Sequence, residues 1–280
     1  MVASSFSQTS VKLNAIEKGS GTTLLLVPGW SQTAKSYQAQ IDGLSDRYRV
    51  IAVDMRGHGD SPKPASGYRI ARLAQDLREF ILERDLNEIA LGGHSMGASI
   101  LWSYIEQFGA DRISKFIFID QAPSVTNGFG LAGQALKDAG AAFTPDVLYA
   151  TAGGIASAQA TVLDGLKGAF FSPSISDDMV AFNKSEALKM PGAYAARLLV
   201  DHCSQDWRDL IEHEIPKLGK PVLVVGGALN TIFPTDAAQW IASKILGARL
   251  EIFSAEEGGS HFMFVENPEK FNDILRDFVG

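Results

Sequence analysis

The sequence predicts an α/β fold, a doubly wound and mostly parallel sheet into which one helical cap is inserted. Three observations carry that expectation. Short, unbroken apolar runs rich in β-branched residues recur along the chain, and amphipathic stretches at helical spacing separate them. The alternation then stops between Pro123 and Ile215, where helical patterns continue but no strand pattern does. Strands buried on both faces read as continuous apolar runs because neither face meets water. Strand–helix alternation is the mark of parallel pairing with helices on both sides of a sheet.

Seven runs qualify as strands. Val11–Glu17 reads as an edge strand, and Thr22–Val27 ends at Pro28-Gly29. Tyr48–Val53 ends at Asp54, Leu86–Leu91 runs into Gly92-Gly93, and Ile113–Ile119 ends at Asp120. Pro221–Val225 ends at Gly226-Gly227, and Arg249–Phe253 is the last. Between them, Ile70–Glu83 sets Leu73, Leu77, Phe80 and Ile81 on one helical face, and Ser99–Phe108, Thr235–Ile245 and Pro268–Val279 read the same way. Residues 1–123 and 215–280 are therefore expected to form the core and residues 124–214 the cap. Turn signals at Asn127-Gly128, Thr144-Pro145, Ser172-Pro173 and Pro191-Gly192 punctuate the cap. Its Ala- and Gly-rich stretch from Ala150 to Ala160 implies either close helix packing or mobility.

Composition narrows the function classes. A chain of 280 residues suits one domain with an insertion, and 46% hydrophobic with 20% charged residues is a folding composition. The net charge of −7 repels phosphate backbones and anionic lipid, which argues against nucleic-acid and membrane-surface partners. Cys203 is the sole cysteine, so no intrachain disulfide or cysteine zinc cluster can form. Met1 to Val11 is polar and poor in basic residues, unlike a secretory signal, and no apolar run approaches the roughly 18 residues of a membrane span. A cytoplasmic protein is expected.

The strongest chemical signal is Gly93-His94-Ser95-Met96-Gly97, placed between an expected strand and an expected helix. G-x-S-x-G alone is a common glycine-rich turn. At a strand-to-helix junction it is a nucleophile elbow, which holds a serine hydroxyl exposed while the helix N-terminus offers free N–H groups to an oxyanion. Upstream, Leu26-Val27-Pro28-Gly29-Trp30-Ser31 ends a strand in a Gly turn, where the second oxyanion donor belongs. The backbone N–H groups of Trp30 and Met96 are thus the expected oxyanion hole, with the Trp30 indole lining a pocket.

His261, in the loop Gly258–Phe262 after the last strand, can reach the same sheet edge and is the expected general base. Of the other histidines, His58 reads as part of a structural turn, His94 should point away from the site, and His202 and His213 read as structural members of the cap. No histidine pair has metal-ligand spacing, because His213-Glu214 lacks the rest of H-E-x-x-H.

The orienting acid is ambiguous. The loop after Pro221–Val225 carries Asn230, which has no charge to offer an imidazolium. Asp120, at the tip of the preceding core strand, is the leading candidate, with a carboxylate oxygen expected within about 3.2 Å of His261 Nδ1. Asn230 as a neutral orienter, Asp236, Glu256 and Glu257 remain open. Asn230→Asp is expected to be tolerated, as restoring an acid at the commoner position. Phe129, Leu148, Tyr149, Phe170, Phe171 and Met190 are candidates for an apolar pocket in the cap.

Taken in order, Leu26–Ser31, Asp54–Ser61, Gly92–Gly97, Asp120, Gly226–Pro234, Gly258–His261 and Glu266-Asn267-Pro268 resemble the α/β-hydrolase superfamily over nearly the whole chain. The resemblance is nearest to small esterases and non-haem chloroperoxidases, which carry the acid where this chain has Asn230. Fungal lactonases of resorcylic lactones and cofactor-free oxoquinoline dioxygenases are similar in carrying it after the preceding strand. The dioxygenases share the Pro-Gly-Trp turn but place a histidine just beyond it, where this chain has Ser31, Gln32 and Thr33.

The resemblance implies an apolar ester or lactone substrate, cleaved through an acyl-enzyme by Ser95, His261 and Asp120 with no cofactor or metal. Two rival readings share the same residues. One is cofactor-free oxygenation with His261 as base. The other is a small-ligand receptor that keeps the pocket and triad, as plant butenolide receptors of this fold do.

Overall fold

The computed structural model describes residues 10–128 and 130–280. The stretch before Ser10, part of the segment compared above with a signal sequence, lies outside the described residues, as does the pocket candidate Phe129. Seven strands form one sheet: β1 (Ala15–Lys18), β2 (Thr22–Val27), β3 (Tyr48–Val53), β4 (Ile89–His94), β5 (Ile113–Ile119), β6 (Val222–Gly227) and β7 (Arg249–Phe253). Their order is β1-β3-β2-β4-β5-β6-β7. Only β1, on β3, is antiparallel.

Around the sheet stand α1 (Gln38–Leu44), α2 (Ile70–Glu83), α3 (Met96–Phe108), α10 (Thr235–Lys244), α11 (Met263–Glu266) and α12 (Pro268–Val279). Between β5 and β6 come α4 (Gly133–Ala139), α5 (Pro145–Gly165), α6 (Lys167–Phe170), α7 (Asp177–Ala187), α8 (Gly192–Cys203) and α9 (Arg208–His213). Among the described residues, 124–214 adds no strand to the sheet. Its β pairings are the isolated bridges Ser124–Asp206 and Thr126–Phe143.

The apolar runs are continuous because their alternate residues feed two different cores. Leu25, Val27, Ile51, Val53, Leu91, Phe116, Phe118 and Val224 join one cluster, shared with α2 and α3. Leu24, Leu26, Val50, Ala52, Ile117, Ile119, Leu223 and Val225 join the other, shared with α1 and α12. A strand whose two faces are both buried has no reason to alternate with polar residues.

Several boundaries differ from expectation. β1 starts at Ala15, not Val11. α3 starts at Met96, so the elbow serine itself precedes the first helical residue. α1 and the 3₁₀ turn Ala34–Tyr37 have no counterpart in the sequence pattern, being too short to establish a period. The Ala- and Gly-rich stretch lies in α5, which packs against α8 and buries Ala152 and Ile155. A break at Ala158 (φ −147°, ψ 50°) divides α5 into two helical pieces.

The Asp54–Ser61 stretch is structural. Asp54 accepts the Ala34 N–H at 2.7 Å, the Asp60 N–H at 2.9 Å and Asn14 Nδ2 at 2.8 Å, tying the β3 exit to two other loops. Arg56 makes a buried two-pronged pair with Asp76 of α2, at 2.7 and 2.8 Å. His58 donates from Nδ1 to the Arg56 carbonyl at 2.9 Å. No described helix is long and apolar enough to cross a membrane.

Candidate active site

β4 delivers Ser95 to the carboxyl edge of the sheet in a sharp turn. Its φ of 52° lies where a residue with a Cβ is strained, and such strain persists only when the surroundings enforce it. The Ser95 N–H donates to the Ile119 carbonyl at 2.8 Å, pinning the turn to the tip of β5. α3 can begin immediately because Gly97 lies against β2, where a Cβ would come within 2.3 Å of the Val27 carbonyl oxygen. Ser95 is 8% exposed, and its residue borders a cavity of about 240 Å³.

The expected oxyanion donors lie at two turns in contact with each other. Met96 is the first residue of α3, so its N–H has no acceptor within the helix and lies at the positive end of the dipole. Trp30 follows Gly29, where an added Cβ would meet Ser95 Cβ at 3.2 Å, so the β2 turn is pressed against the elbow. The Trp30 indole borders the cavity and donates to the Ala195 carbonyl of α8 at 2.8 Å.

Strand order explains how the remaining groups meet. Asp120 follows β5, Asn230 lies beyond β6 and His261 beyond β7, and these strands are neighbours. The His261 Nδ1 lies 2.5 Å from Asp120 Oδ2. The same oxygen accepts a hydrogen bond from Asn230 Nδ2. Asn230 therefore touches the carboxylate rather than the imidazole. Its own Oδ1 accepts the N–H groups of Ile232 and Phe233, at 2.8 and 3.2 Å, which fixes its direction. Asp236, Glu256 and Glu257 bond elsewhere: Asp236 to Gln134, Glu256 to Ser254, and Glu257 to Lys270 and Ser254.

The contact with a carboxylate assigns the proton of a neutral His261 to Nδ1 and leaves the Nε2 lone pair free. Burial pushes His261 down to about 3, so the ring is neutral near pH 7. Burial pushes Asp120 up, while Asn230 and the Gly227 N–H pull it back by donating to its charged form.

The cavity departs from expectation in several places. His94 does not point away. It borders the cavity, its ring centroid is 4.5 Å from that of His261, and its Nε2–H donates to the His261 carbonyl at 2.8 Å. His94 is the last residue of β4, and through this bond it meets the backbone of the loop carrying His261. Among the apolar candidates, Phe170 borders the cavity. Leu148 and Met190 lie in the core, Tyr149 is exposed, and Phe171 stacks on Phe262.

His202, read as structural, borders the main cavity, together with Gln32, Val125, Phe143, Leu199, Phe233 and Phe262. Their spacing in the sequence holds no signal, because they come from separate loops and helices. His213 ends α9 and is exposed. No group of three or more potential metal ligands occurs among the described residues.

The fold and the elbow define a class, and residues 22–268 match it: the chain belongs to the α/β hydrolase fold family. It is 26% identical over 269 residues to a non-heme chloroperoxidase of Kitasatospora aureofaciens, covering 94% of each chain. An esterase from Exiguobacterium antarcticum superposes with a TM-score of 0.85 at 27% identity, covering 96% of both chains. The enol-lactonase from Burkholderia xenovorans shares the fold, with a TM-score of 0.81 at 18% identity over 98% of both.

Proposed function

We propose that the protein is a serine hydrolase that cleaves a small, apolar carboxylic ester or lactone through an acyl-enzyme. The observation that carries this reading is the Asp120–His261 contact beside a serine held at positive φ on the same cavity. Ser95 Oγ attacks the carbonyl carbon while His261 Nε2 takes its proton. Asp120 holds the ring's orientation and offsets the charge of the imidazolium, and Asn230 keeps the carboxylate in place. The Trp30 and Met96 N–H groups receive the oxyanion. His261 then returns the proton to the departing alkoxide, which leaves an acyl group on Ser95. Water, deprotonated by the same nitrogen, attacks this ester and frees the acid and the serine.

In this proposal residues 124–214 act as a helical cap over the strand ends, and residues 1–123 with 215–280 act as the hydrolase core. The lining supports it, because Phe170, Leu199 and His202 from the first meet Ser95 and His261 from the second. The esterase similarity at 27% identity supports the ester class, and the enol-lactonase adds support for the fold alone.

The test is a panel of short acyl esters and lactones assayed with wild type and Ser95→Ala. The expected result is hydrolysis of at least one member and a loss on the order of 10⁴-fold or more in the variant, which keeps its melting temperature. Retained turnover in Ser95→Ala would sink the covalent route.

A further inference from the structure

We infer that His202 is a second recognition group of this cavity, a hydrogen-bonding site for a hydroxyl carried on the apolar body of the substrate, away from the carbonyl that Ser95 attacks. The inference rests on the reading of Ser95 as the reacting end of the cavity.

Three imidazoles border the cavity; two of them hold one ring nitrogen in a hydrogen bond, His94 leaving its Nδ1 without a partner, and the third holds neither nitrogen so. His261 spends Nδ1 on Asp120, and His94 spends Nε2 on the His261 carbonyl. His202, near the end of α8, is only 4% exposed, its Nδ1 is fully buried without a partner, and no hydrogen bond to another described residue reaches its ring. A buried polar group without a partner costs stability, since it has lost its water and gained nothing. The sealed-in Nδ1 is out of a ligand's reach, so Nε2, which is not sealed in and bonds no described residue, is the ring atom that a ligand in the cavity would meet.

The character of the ring narrows that ligand. Burial pushes His202 down to about 3, and the neighbouring His261 ring adds to the effect. It is therefore a neutral imidazole near pH 7, with one N–H to donate and one lone pair to accept. A hydroxyl matches that pair in either sense. A carboxylate, which needs a charged partner, does not belong in a cavity lined mainly by apolar groups. Phe143, Phe170, Phe233 and Phe262 present ring surface to the rest of the ligand. At about 240 Å³ the cavity is smaller than the roughly 300–1,000 Å³ that holds drug-sized ligands, so the body is one ring or a comparable alicycle. The substrate class is a small hydroxylated aryl or alicyclic ester or lactone.

The experiment uses phenyl acetate and its ortho-, meta- and para-hydroxyphenyl counterparts as probes. Binding is measured by ligand-observed NMR titration to Ser95→Ala, which removes turnover from the readout. Hydrolysis is measured in parallel with the wild-type enzyme. At least one hydroxy isomer should bind tenfold or more tightly than phenyl acetate. That ratio should fall to about one in Ser95→Ala/His202→Leu and be partly restored in Ser95→Ala/His202→Gln, whose amide keeps a donor and an acceptor.

His202→Leu should melt no lower than wild type, because it replaces an unpaired polar group by an apolar one of similar size. A structural role for His202 would instead lower the melting temperature and weaken all four probes together. The inference is overturned if no hydroxy isomer outbinds the parent, or if the ratio survives His202→Leu. Selective binding without hydrolysis by the wild type would uphold His202 and reject the hydrolase reading.

Discussion

His261 and Asn230 meet on one oxygen of Asp120, and that geometry separates the roles of Asp120 and Asn230. A carboxylate paired with the general base is worth roughly 10⁴-fold in turnover in a serine triad. Asp120→Asn is therefore expected to lose about that factor in kcat, or about 5 kcal/mol of transition-state stabilisation. Asn230→Ala removes one of the donors to the carboxylate, and an expected loss of about tenfold follows from one hydrogen bond to a charged group.

The sequence suggested that Asn230→Asp would be tolerated. The structure reverses that expectation, because the new carboxylate would stand against Asp120 itself, and two carboxylates in contact cannot both be ionised without cost. Their shared negative charge would raise the basicity of His261. In the wild type, burial keeps His261 in its basic form well below its ordinary 6.5. The acid limb of kcat/KM should accordingly lie below pH 6.5 in the wild type and at higher pH in Asn230→Asp. A pH–rate series on one ester checks both positions, and a limb that moves down in the variant contradicts this account. Ser95 and Asp120 were legible because each sits at the end of an apolar run whose strand was itself legible, and His261 because its Gly-rich loop follows the last such strand. The Asn230–Asp120 contact was not, since two loops 110 residues apart meet only when β5 and β6 pair.

At the scale of elements, polar contacts add to the apolar packing of Phe262 in holding the loop after β7. Glu266 of α11 accepts Ser260 Oγ at 2.6 Å, beside His261, and also the Ser172 N–H at 2.9 Å, which lies in the segment between β5 and β6. Glu266→Ala should loosen both, and a fall in kcat larger than the change in melting temperature is expected in parallel activity and thermal scans. Equal effects on a Glu266-independent loop variant would point to general destabilisation instead.

The Arg56–Asp76 pair is of a different kind, since both side chains are buried, and Asp76 also pairs with Arg72. Asp76→Ala takes the paired carboxylate away from a buried guanidinium and should cost about 3–5 kcal/mol in chemical denaturation. Long elements were the readable ones. α2 and α12 carry strong amphipathic periods and begin and end where the pattern does. α1 and the pieces of α5 on either side of Ala158 lack a period long enough to read, and the Ala-rich composition of α5 blurs its buried face further.

Across the whole molecule, two cores back to back make the sheet rigid, and the chemistry is placed along its carboxyl edge. The same burial leaves four histidines neutral: His58 pushed down to about 4, His202 and His261 to about 3, and His94 well below its usual value. In the unfolded chain these rings titrate near 6.5. Below that pH the unfolded state binds more protons than the native state, so stability is present above about 6.5 and is lost as pH falls toward 4 and 3. Each ring contributes up to about 1.4 kcal/mol per pH unit in that window. Asp120, pushed up by burial, acts in the opposite sense but as one group against four. The melting temperature should be highest at and above pH 7 and fall steadily between pH 6.5 and 4. A flat profile over that range would mean that these rings are hydrated in solution.

The central claim is that Ser95 is the nucleophile, activated by a neutral His261 that Asp120 orients. Treatment with an organophosphonate ester, followed by peptide mass mapping, tests it most directly, because the reagent phosphonylates only an activated hydroxyl. The account predicts stoichiometric modification of Ser95 in the wild type, with matching loss of esterase activity, and no comparable modification in His261→Ala. Loss of activity with the label on another residue, or an unlabelled Ser95 in an enzyme that still cleaves esters, would contradict it.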